Sequence, residues 1–317
     1  MNEFELIYEL IAPAAGRRDD VLLGIGDDGA VLAPPPGEAL VVVADTLVAG
    51  RHFPDGMDAA DVGWRAAVVN LSDLAAMGAT PRWATLALTL PAVDEAWLRA
   101  FVSGLRAGLD LGDVALVGGD TTRGPLTVTV QAMGTVPPAQ ALTRHGARVD
   151  ELVFVSGTPG EAAGGLALWR QGRAEAAALE LLRRFRRPTP RLALGLALRG
   201  LASACIDVSD GLLADLGHVA TQSGAGMRLA AARLPPSPAL RACFDVGECL
   251  RLAATGGDDY ELAFTLPASR AEELSARAKA LDCALTCIGT VTAEPGVRLV
   301  DAEGREIRFA RGGYTHF

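Results

Sequence analysis

Lysine is almost absent. Of 29 basic residues only Lys279 is a lysine, which leaves 28 arginines. This excludes a Walker A loop, which needs Gly-Lys-Ser/Thr, and the strand lysine of protein kinases in its usual context. A chain of this composition that met nucleotide phosphates would have to balance them with arginine and metal ions. Lys279 itself sits in Ser-Ala-Arg-Ala-Lys-Ala-Leu, an ordinary amphipathic helix pattern. Cysteine is scarce and odd in number: Cys205, Cys243, Cys249, Cys283 and Cys287. Without a framework spacing these read as reduced thiols of a cytoplasmic chain. The four-residue step from Cys283 to Cys287 fits one helix face or chance and gives zinc little support. Positive charge is in deficit, with a net charge of −9. No basic stripe exists, which argues against a nucleic-acid binder and suits acidic groups that hold cations. No apolar run approaches membrane-spanning length. The start, Met1-Asn2-Glu3-Phe4-Glu5, is acidic and lacks a signal-peptide pattern.

What is present is a large apolar fraction, 50% of 317 residues, enough for two domains or one large one. Residues 3–12 alternate helically and stop before Pro13. Val21–Leu23 and Leu40–Ala44 are short apolar runs. Residues 61–77 form the clearest helix, with Gly78 as its stop and Pro81 beyond. Asn70 and Asp73 are three apart and share a face of it. Such a polar pair in an apolar helix needs a partner or a job. Trp83–Leu90 reads as a strand, Glu95–Leu111 as a helix, Val114–Val117 as a strand ending at Gly118-Gly119-Asp120, and Leu126–Ala132 as a strand. Pro137-Pro138 begins a boundary loop, giving domains 1–137 and 149–317. In the second half, strands Leu152–Val155, Ala204–Val208 and Leu262–Phe264 alternate with helices. The basic run Arg183–Arg187 reads as a solvated helix end. The regular βαβ spacing of a Rossmann sheet is missing, so the fold class is α+β, or mixed α/β.

The organising stretch is Gly24-Ile25-Gly26-Asp27-Asp28-Gly29-Ala30. Adjacent carboxylates among glycines add little to a core and suit a hard cation such as Mg²⁺. Alone, the stretch reads better as an exposed turn. The same grammar returns at Asp45, Asp120, Asp207/Asp210 and Asp258/Asp259, and Asp73 joins from its helix. Clustered carboxylates repel by more than roughly 1 kcal/mol per pair unless cations intervene. Asp210 also reads as an N-cap. Gly118-Gly119-Asp120 can admit a phosphate to backbone N–H groups. Gly157-x-x-Gly160 before a helix is a weaker anion site. His52 and His316, taken alone, read as surface or packing histidines.

Together these motifs resemble the thiamine-monophosphate kinase family. The resemblance rests on Gly24–Ala30, Asp45-Thr46-Leu47-Val48 with His52-Phe53, Asn70-Leu71-Ser72-Asp73 and Gly118–Thr122. It continues through Asp207–Leu212, Gly257–Leu262 and the terminal Gly-Tyr-Thr-His-Phe, in that family's order across nearly the whole chain. It implies an aminoimidazole ribonucleotide synthetase-like fold, with an N-terminal dimerisation domain and a C-terminal α/β sandwich domain. It implies transfer of the ATP γ-phosphoryl group to thiamine monophosphate, giving thiamine diphosphate, in a homodimer. Carried over by motif, Asp28, Ala44, Asp45, Asp73, Asp120, Asp207 and Asp210 would hold several Mg²⁺ ions, Ala44 through its carbonyl. Asp73, Asp120 and Asp210 would assist the transfer through metal. Gly119, Asp120, Arg144 and Ser209 would contact ATP, and His52, Glu261 and Tyr314 the thiamine substrate. Val43-Ala44 stands where the family often has Ser or Thr. Val102, beside Phe101, stands where an adenine-side aromatic is expected, and no role is carried over there. Two alternatives remain: another ATP-using enzyme of the superfamily that makes an acyl- or seleno-phosphate, and a non-catalytic Mg-nucleotide sensor.

Overall fold

In the first half, alternating β-branched runs pair into a four-stranded sheet. The computed structural model describes residues 7–234, 236–279, 281 and 283–315. The acidic start, the first part of the 3–12 helix and His316 lie outside the described residues. Contacts divide the chain into two units. The first comprises residues up to Leu74 and Ala79–Ala139; the second comprises Ala75–Gly78 and Gln140 onward.

The first unit contains β1 (Val21–Leu23), β2 (Val31–Leu32), β3 (Ala39–Val48), most of α1 (Ala59–Ala76), β4 (Thr80–Leu90), α2 (Glu95–Asp110), β5 (Ala115–Arg123) and β6 (Thr127–Val136). Strands β1 and β2 form a separate hairpin. The larger sheet runs β3-β6-β4-β5, with only β4 and β5 parallel. Gly78, at φ +63, follows α1 as the sequence predicts. Asp94 caps α2 by accepting the Trp97 amide at 3.1 Å. Helices α1 and α2 touch backbone to backbone: a Cβ on Gly63 would strike the Phe101 carbonyl, and one on Gly104 the Ala60 carbonyl.

Two local expectations change. Residues 7–11 form a π-helical turn and 12–14 a 3₁₀ turn, not one α-helix. Strand β5 does not end at Gly118; it stays paired with β4 through Arg123. Sheet pairing overrides the turn preference of Gly-Gly-Asp. Gly119 is required by close approach, since a Cβ there would meet the Leu86 carbonyl.

The second unit adds β7 (Leu152–Ser156), α3 (Glu161–Arg170), α4 (Ala176–Arg186), α5 (Leu192–Leu198), β8 (Ala204–Asp207), α6 (Leu212–Ser223) and β9 (Gly226–Ala230). It continues with α7 (Pro238–Cys243), α8 (Val246–Thr255), β10 (Leu262–Leu266), α9 (Ala271–Ala278), β11 (Leu285–Thr292), β12 (Gly296–Val300) and β13 (Glu306–Ile307). Its sheet order is β13-β12-β9-β11-β7-β10-β8, antiparallel except for β12 with β9. One core cluster gathers Val153, Val155, Ile206, Leu216, Met227 and Ile288 among others, joining β7, β8, β9 and β11 to α6. Both larger sheets are antiparallel apart from one strand pair each, as suits an α+β chain. The cysteines are all free thiols. Cys287 lies on β11 and Cys283 just before it, so the helix-face reading of that pair does not hold.

The run Arg183–Arg187 is not simply solvated. Arg184 is buried, pairing with Glu161 (3.1 Å) and Glu261 (2.7 Å), and the Arg186 guanidinium lies 4.6 Å over the Trp169 ring. Burial of an arginine demands carboxylate partners, and two carboxylates distant in sequence supply them.

The α1–α2 contact leaves no room for a methyl group. Gly104→Ala is therefore expected to destabilise the first unit by about 2 kcal/mol through overpacking. The denaturant midpoint checks this, with exposed Arg99→Ala, in an ion pair with Glu95, as the near-neutral comparison.

Candidate active site

Within the first unit, two sequence motifs meet. A pocket of about 400 Å³ is lined by Ile25–Ala30 on one side and by Val117–Thr121 on the other, with Tyr8, Ile11 and Leu86. It brings Asp27 and Asp28 together with Asp120, and all three are exposed. Gly118 faces open space, where even a Cβ would touch nothing. The glycine pair thus divides its work: Gly119 fits the sheet, and Gly118 leaves backbone accessible at the pocket.

Asp45 is placed differently. Register puts Asp45 in a row with Val130 and Leu86, and Asp120 one row along with Ala87, Thr129 and Thr46. Side chains of neighbouring rows point to opposite faces. Val130 and Leu86 are buried, whereas Ala87 and Thr46 are exposed, as that alternation requires. The outer strands β3 and β5 are three steps apart, about 14 Å. The Asp45 amide donates to Asn70 Oδ1 at 3.1 Å, and Asn70 Nδ2 donates to the Ala66 carbonyl. That is the job predicted for Asn70: it ties α1 to β3. Asp73 is half-buried, one turn further along α1. Among the described residues, no group of three or more His, Cys, Asp or Glu side chains is gathered ready for a metal. The structure thus sets Asp28 and Asp120 at the pocket and Asp45 beside the helix.

His52 closes the turn after β3. Its Nδ1 accepts the Val48 amide at 2.9 Å, which leaves Nε2 to carry the proton of a neutral ring.

In the second unit, three further motifs converge on the loop after β8. Val208 N–H donates to the Glu261 carbonyl (2.7 Å), and Tyr260 and Asp258 donate back to Val208 (2.9 Å) and Ser209 (2.8 Å). Tyr314 N–H donates to the Asp210 carbonyl at 2.9 Å, which docks the C-terminal motif on the same loop. Asp258 (φ +69) and Tyr260 (φ +54) hold left-handed backbone conformations, a strain that structures keep where surroundings over-determine it. Asp207 is buried, while Ser209 and Asp210 are half-buried.

The cap predicted for Asp210 is supplied by Asp215. Helix α6 begins after Gly211, which has no side-chain cap. Asp215 Oδ2 instead accepts the amides of Ser209 (3.1 Å), Asp210 (3.1 Å) and Gly211 (3.0 Å). Burial, with the negative charges of Asp207 and Asp210, pushes its carboxyl up to about 7. Sequence reading missed Asp215 because it points back into its own helix start. Its position in the first turn was the available signal.

Three other motifs sit in surroundings the sequence did not reveal. The turn Gly157-x-x-Gly160 does not offer an open anion site: Asp259 accepts the amides of Gly160 (2.5 Å) and Ala162 (3.0 Å) at the start of α3. Burial pushes Asp259 up to about 8 against these two amides. Glu261 has no exposed surface, and its carboxylate is engaged by Arg184, by Arg191 (2.5 and 2.6 Å) and by Ser156 Oγ (2.5 Å). An internal ion network thus holds the carboxylate that the resemblance assigns to the thiamine substrate. Arg144 is exposed, with its carbonyl beside Ser223 at the end of α6. Ser209 sits at the opposite end, about 18 Å of helix away, so the structure does not bring these two ATP-side residues together.

Asp215→Leu would leave three loop amides without their acceptor and should cost about 3 kcal/mol or more of stability. Asp215→Asn, which keeps an acceptor oxygen, should cost less. Chemical denaturation of the two variants checks the order.

Comparison with known proteins covers the whole chain. Residues 26–136 match the AIR synthase related protein N-terminal domain, and residues 148–302 match the C-terminal domain. The thiamine-monophosphate kinase of Salmonella typhimurium is 47% identical over 100% of this chain and 98% of its own length. That of Escherichia coli K12 is 46% identical with the same coverage. The crystal structure of thiamine-monophosphate kinase from Stenotrophomonas maltophilia K279a is 49% identical, with a TM-score of 0.89 over 97% of this chain and 98% of that one. The structure of AaThiL complexed with AMPPCP and TMP is 31% identical, with a TM-score of 0.80 over 99% and 97%. The hydrogenase maturation protein HypE, at 21% identity and a TM-score of 0.77, shares the fold. With likeness of this extent running from end to end, the chain belongs to the thiamine-monophosphate kinase family, within the AIR synthase related proteins.

Proposed function

We propose that this chain transfers the γ-phosphoryl group of ATP directly to thiamine monophosphate, giving thiamine diphosphate and ADP. The observation that carries this reading is the pocket where the Gly24–Ala30 loop faces Gly118–Thr121. The full-length relatives are kinases of this name, and AaThiL holds an ATP analogue together with TMP.

The donor set at the pocket fits a hard divalent cation. Asp27, Asp28 and Asp120 offer carboxylate oxygen, with no sulfur or imidazole in the lining among the described residues. Asp28 and Asp120 would hold Mg²⁺ there; by the family resemblance Asp45, the Ala44 carbonyl and Asp73 of the first unit, and Asp207 and Asp210 of the second, would each contribute metal ligands of their own. Bound Mg²⁺ offsets the repulsion between the phosphates and the charge on the group in transfer. Gly118 and Gly119 let a phosphate approach the backbone. Ser209 and Arg144 would contact ATP at separate points. His52 presents its Nε2–H, and Tyr314 its ring, to the thiamine substrate. The acceptor needs no general base, because a phosphate monoester has a second pKa of about 6 and is mostly ionised at pH 7. The acceptor oxygen forms a bond to the γ-phosphorus as the bond to the ADP oxygen breaks, in line.

The chain works in the cytoplasm as a homodimer. Edge strand β3 supports the dimer, since Leu40 and Val42 are each 50% exposed on it and an exposed apolar edge invites a partner. Val42→Asp is expected to leave a monomer by light scattering; an unchanged mass would remove this contact from the interface. No helix of the described residues is long and apolar enough to cross a membrane.

ADP release measured with thiamine monophosphate, thiamine and aminoimidazole precursors side by side tests the reaction. Thiamine monophosphate alone should support turnover, with inversion at the γ-phosphorus. Mg-ATP binding without turnover would point to a sensor, and retention of configuration would rule out direct transfer.

A further inference from the structure

The hairpin that carries Asp27 and Asp28 is slight, three residues of β1 against two of β2. Leu22, Leu23 and Val31 on it are exposed. Among the described residues, the hydrogen bonds of its tip are internal, such as the Asp28 amide to Asp27 Oδ1 at 2.9 Å. The position of the tip must therefore be set from the base.

At the base stands Asp20. Its carbonyl accepts the Ala33 amide at 2.9 Å, joining the two ends of the hairpin. Its carboxylate accepts four N–H bonds. Arg18 donates Nε (2.9 Å) and Nη2 (2.9 Å), Arg82 donates Nη1 (3.1 Å), and Trp83 donates its indole Nε1 (3.0 Å). Arg82 and Trp83 belong to β4. Arg18 Nη1 also reaches the Asp113 carbonyl (2.6 Å) and carboxylate (2.7 Å), just ahead of β5. One carboxylate thus links the hairpin to β4 and, through Arg18, to the approach of the strand that bears Asp120. Val21 and Leu32 pack beneath, against Trp83, Ala115, Val117 and Met133. Trp83 is 1% exposed, so its indole N–H depends on this partner. The grip of Arg18, supported by Trp83 and Arg82, holds the Asp20 carboxyl down at about 2.

We propose that Asp20 is a positioning residue: through Arg18, Arg82 and Trp83 it fixes the Asp27–Asp28 loop against Asp120 and so sets how tightly the pocket binds a divalent cation. This rests on the reading that Asp28 and Asp120 hold Mg²⁺. Asp20 touches neither metal nor substrate. It acts as an outer partner that orients ligands it does not join.

The test uses the full chain and two variants. Asp20→Asn removes the charge and the paired acceptors, and Trp83→Phe removes the indole N–H together with part of the buried ring that packs against Val21 and Leu32. Mn²⁺ is the probe, titrated without nucleotide and read from the EPR signal of the hydrated ion. Asp20→Asn should weaken Mn²⁺ binding about tenfold, with a smaller shift the same way in Trp83→Phe. In the ADP-release assay, half-saturating Mg²⁺ should rise in parallel, while excess Mg²⁺ restores kcat and KM for thiamine monophosphate stays put. Glu95→Gln, in the exposed pair with Arg99, should move none of these. Unchanged Mn²⁺ affinity in Trp83→Phe overturns the proposal, as does a loss of kcat that Mg²⁺ fails to restore, or a wild-type chain that binds no Mn²⁺. If Asp20→Asn does not fold, Trp83→Phe decides. If the wild type binds Mn²⁺ but releases no ADP with thiamine monophosphate, the kinase reading fails and the Mn²⁺ titration still decides the positioning role.

Discussion

Carboxylates turned inward onto backbone amides and arginines hold the working loops of this chain in place. A loop that must face a ligand cannot also satisfy its own N–H groups through a sheet ladder. Asp215 supplies the acceptor for three consecutive amides after β8, Asp259 for two at the start of α3, and Asp20 for the side chains that anchor the β1–β2 hairpin. A carboxyl group buried among N–H donors is expensive to lose, because its removal leaves several donors without a partner.

The acidic residues of this chain therefore divide into two populations by surroundings, not by residue type. Asp27, Asp28 and Asp120 stand exposed around a pocket. Asp207, Asp215, Asp259 and Glu261 are buried. Glu261 shows how complete the second state is, with two arginines and a serine around one carboxylate. The near absence of lysine fits such interiors. A guanidinium forks onto a carboxylate in two places and stays charged, as Arg191 does on Glu261 and Arg18 on Asp20.

Much of this was legible in the sequence. Gly78 as a helix stop, and strands where β3, β4 and β6 lie, follow from local chemistry and held in the structure. The meeting of Gly24–Ala30 with Gly118–Thr121 was implied by their shared grammar. Other features needed the third dimension. Strand β5 continues through Gly-Gly-Asp because β4 lies alongside it, which no local propensity reveals. Arg184 looks solvated in a run of arginines until Glu161 and Glu261 arrive from elsewhere in the chain. Asp210 fits the cap pattern, but Asp215 reaches the amides first. Asp45 and Asp120 share a motif style, yet alternation along their strands turns them to opposite faces.

The start of α3 carries one more consequence. A helix N-terminus is an attractive berth for phosphate, but here Asp259 already occupies it. A side chain tethered beside its berth competes intramolecularly, at an effective concentration of order millimolar or above. A dilute phosphate ester would have to evict a resident that never diffuses away. Nucleotide capture is thereby diverted from the place where the amide dipoles of α3 alone would have drawn it.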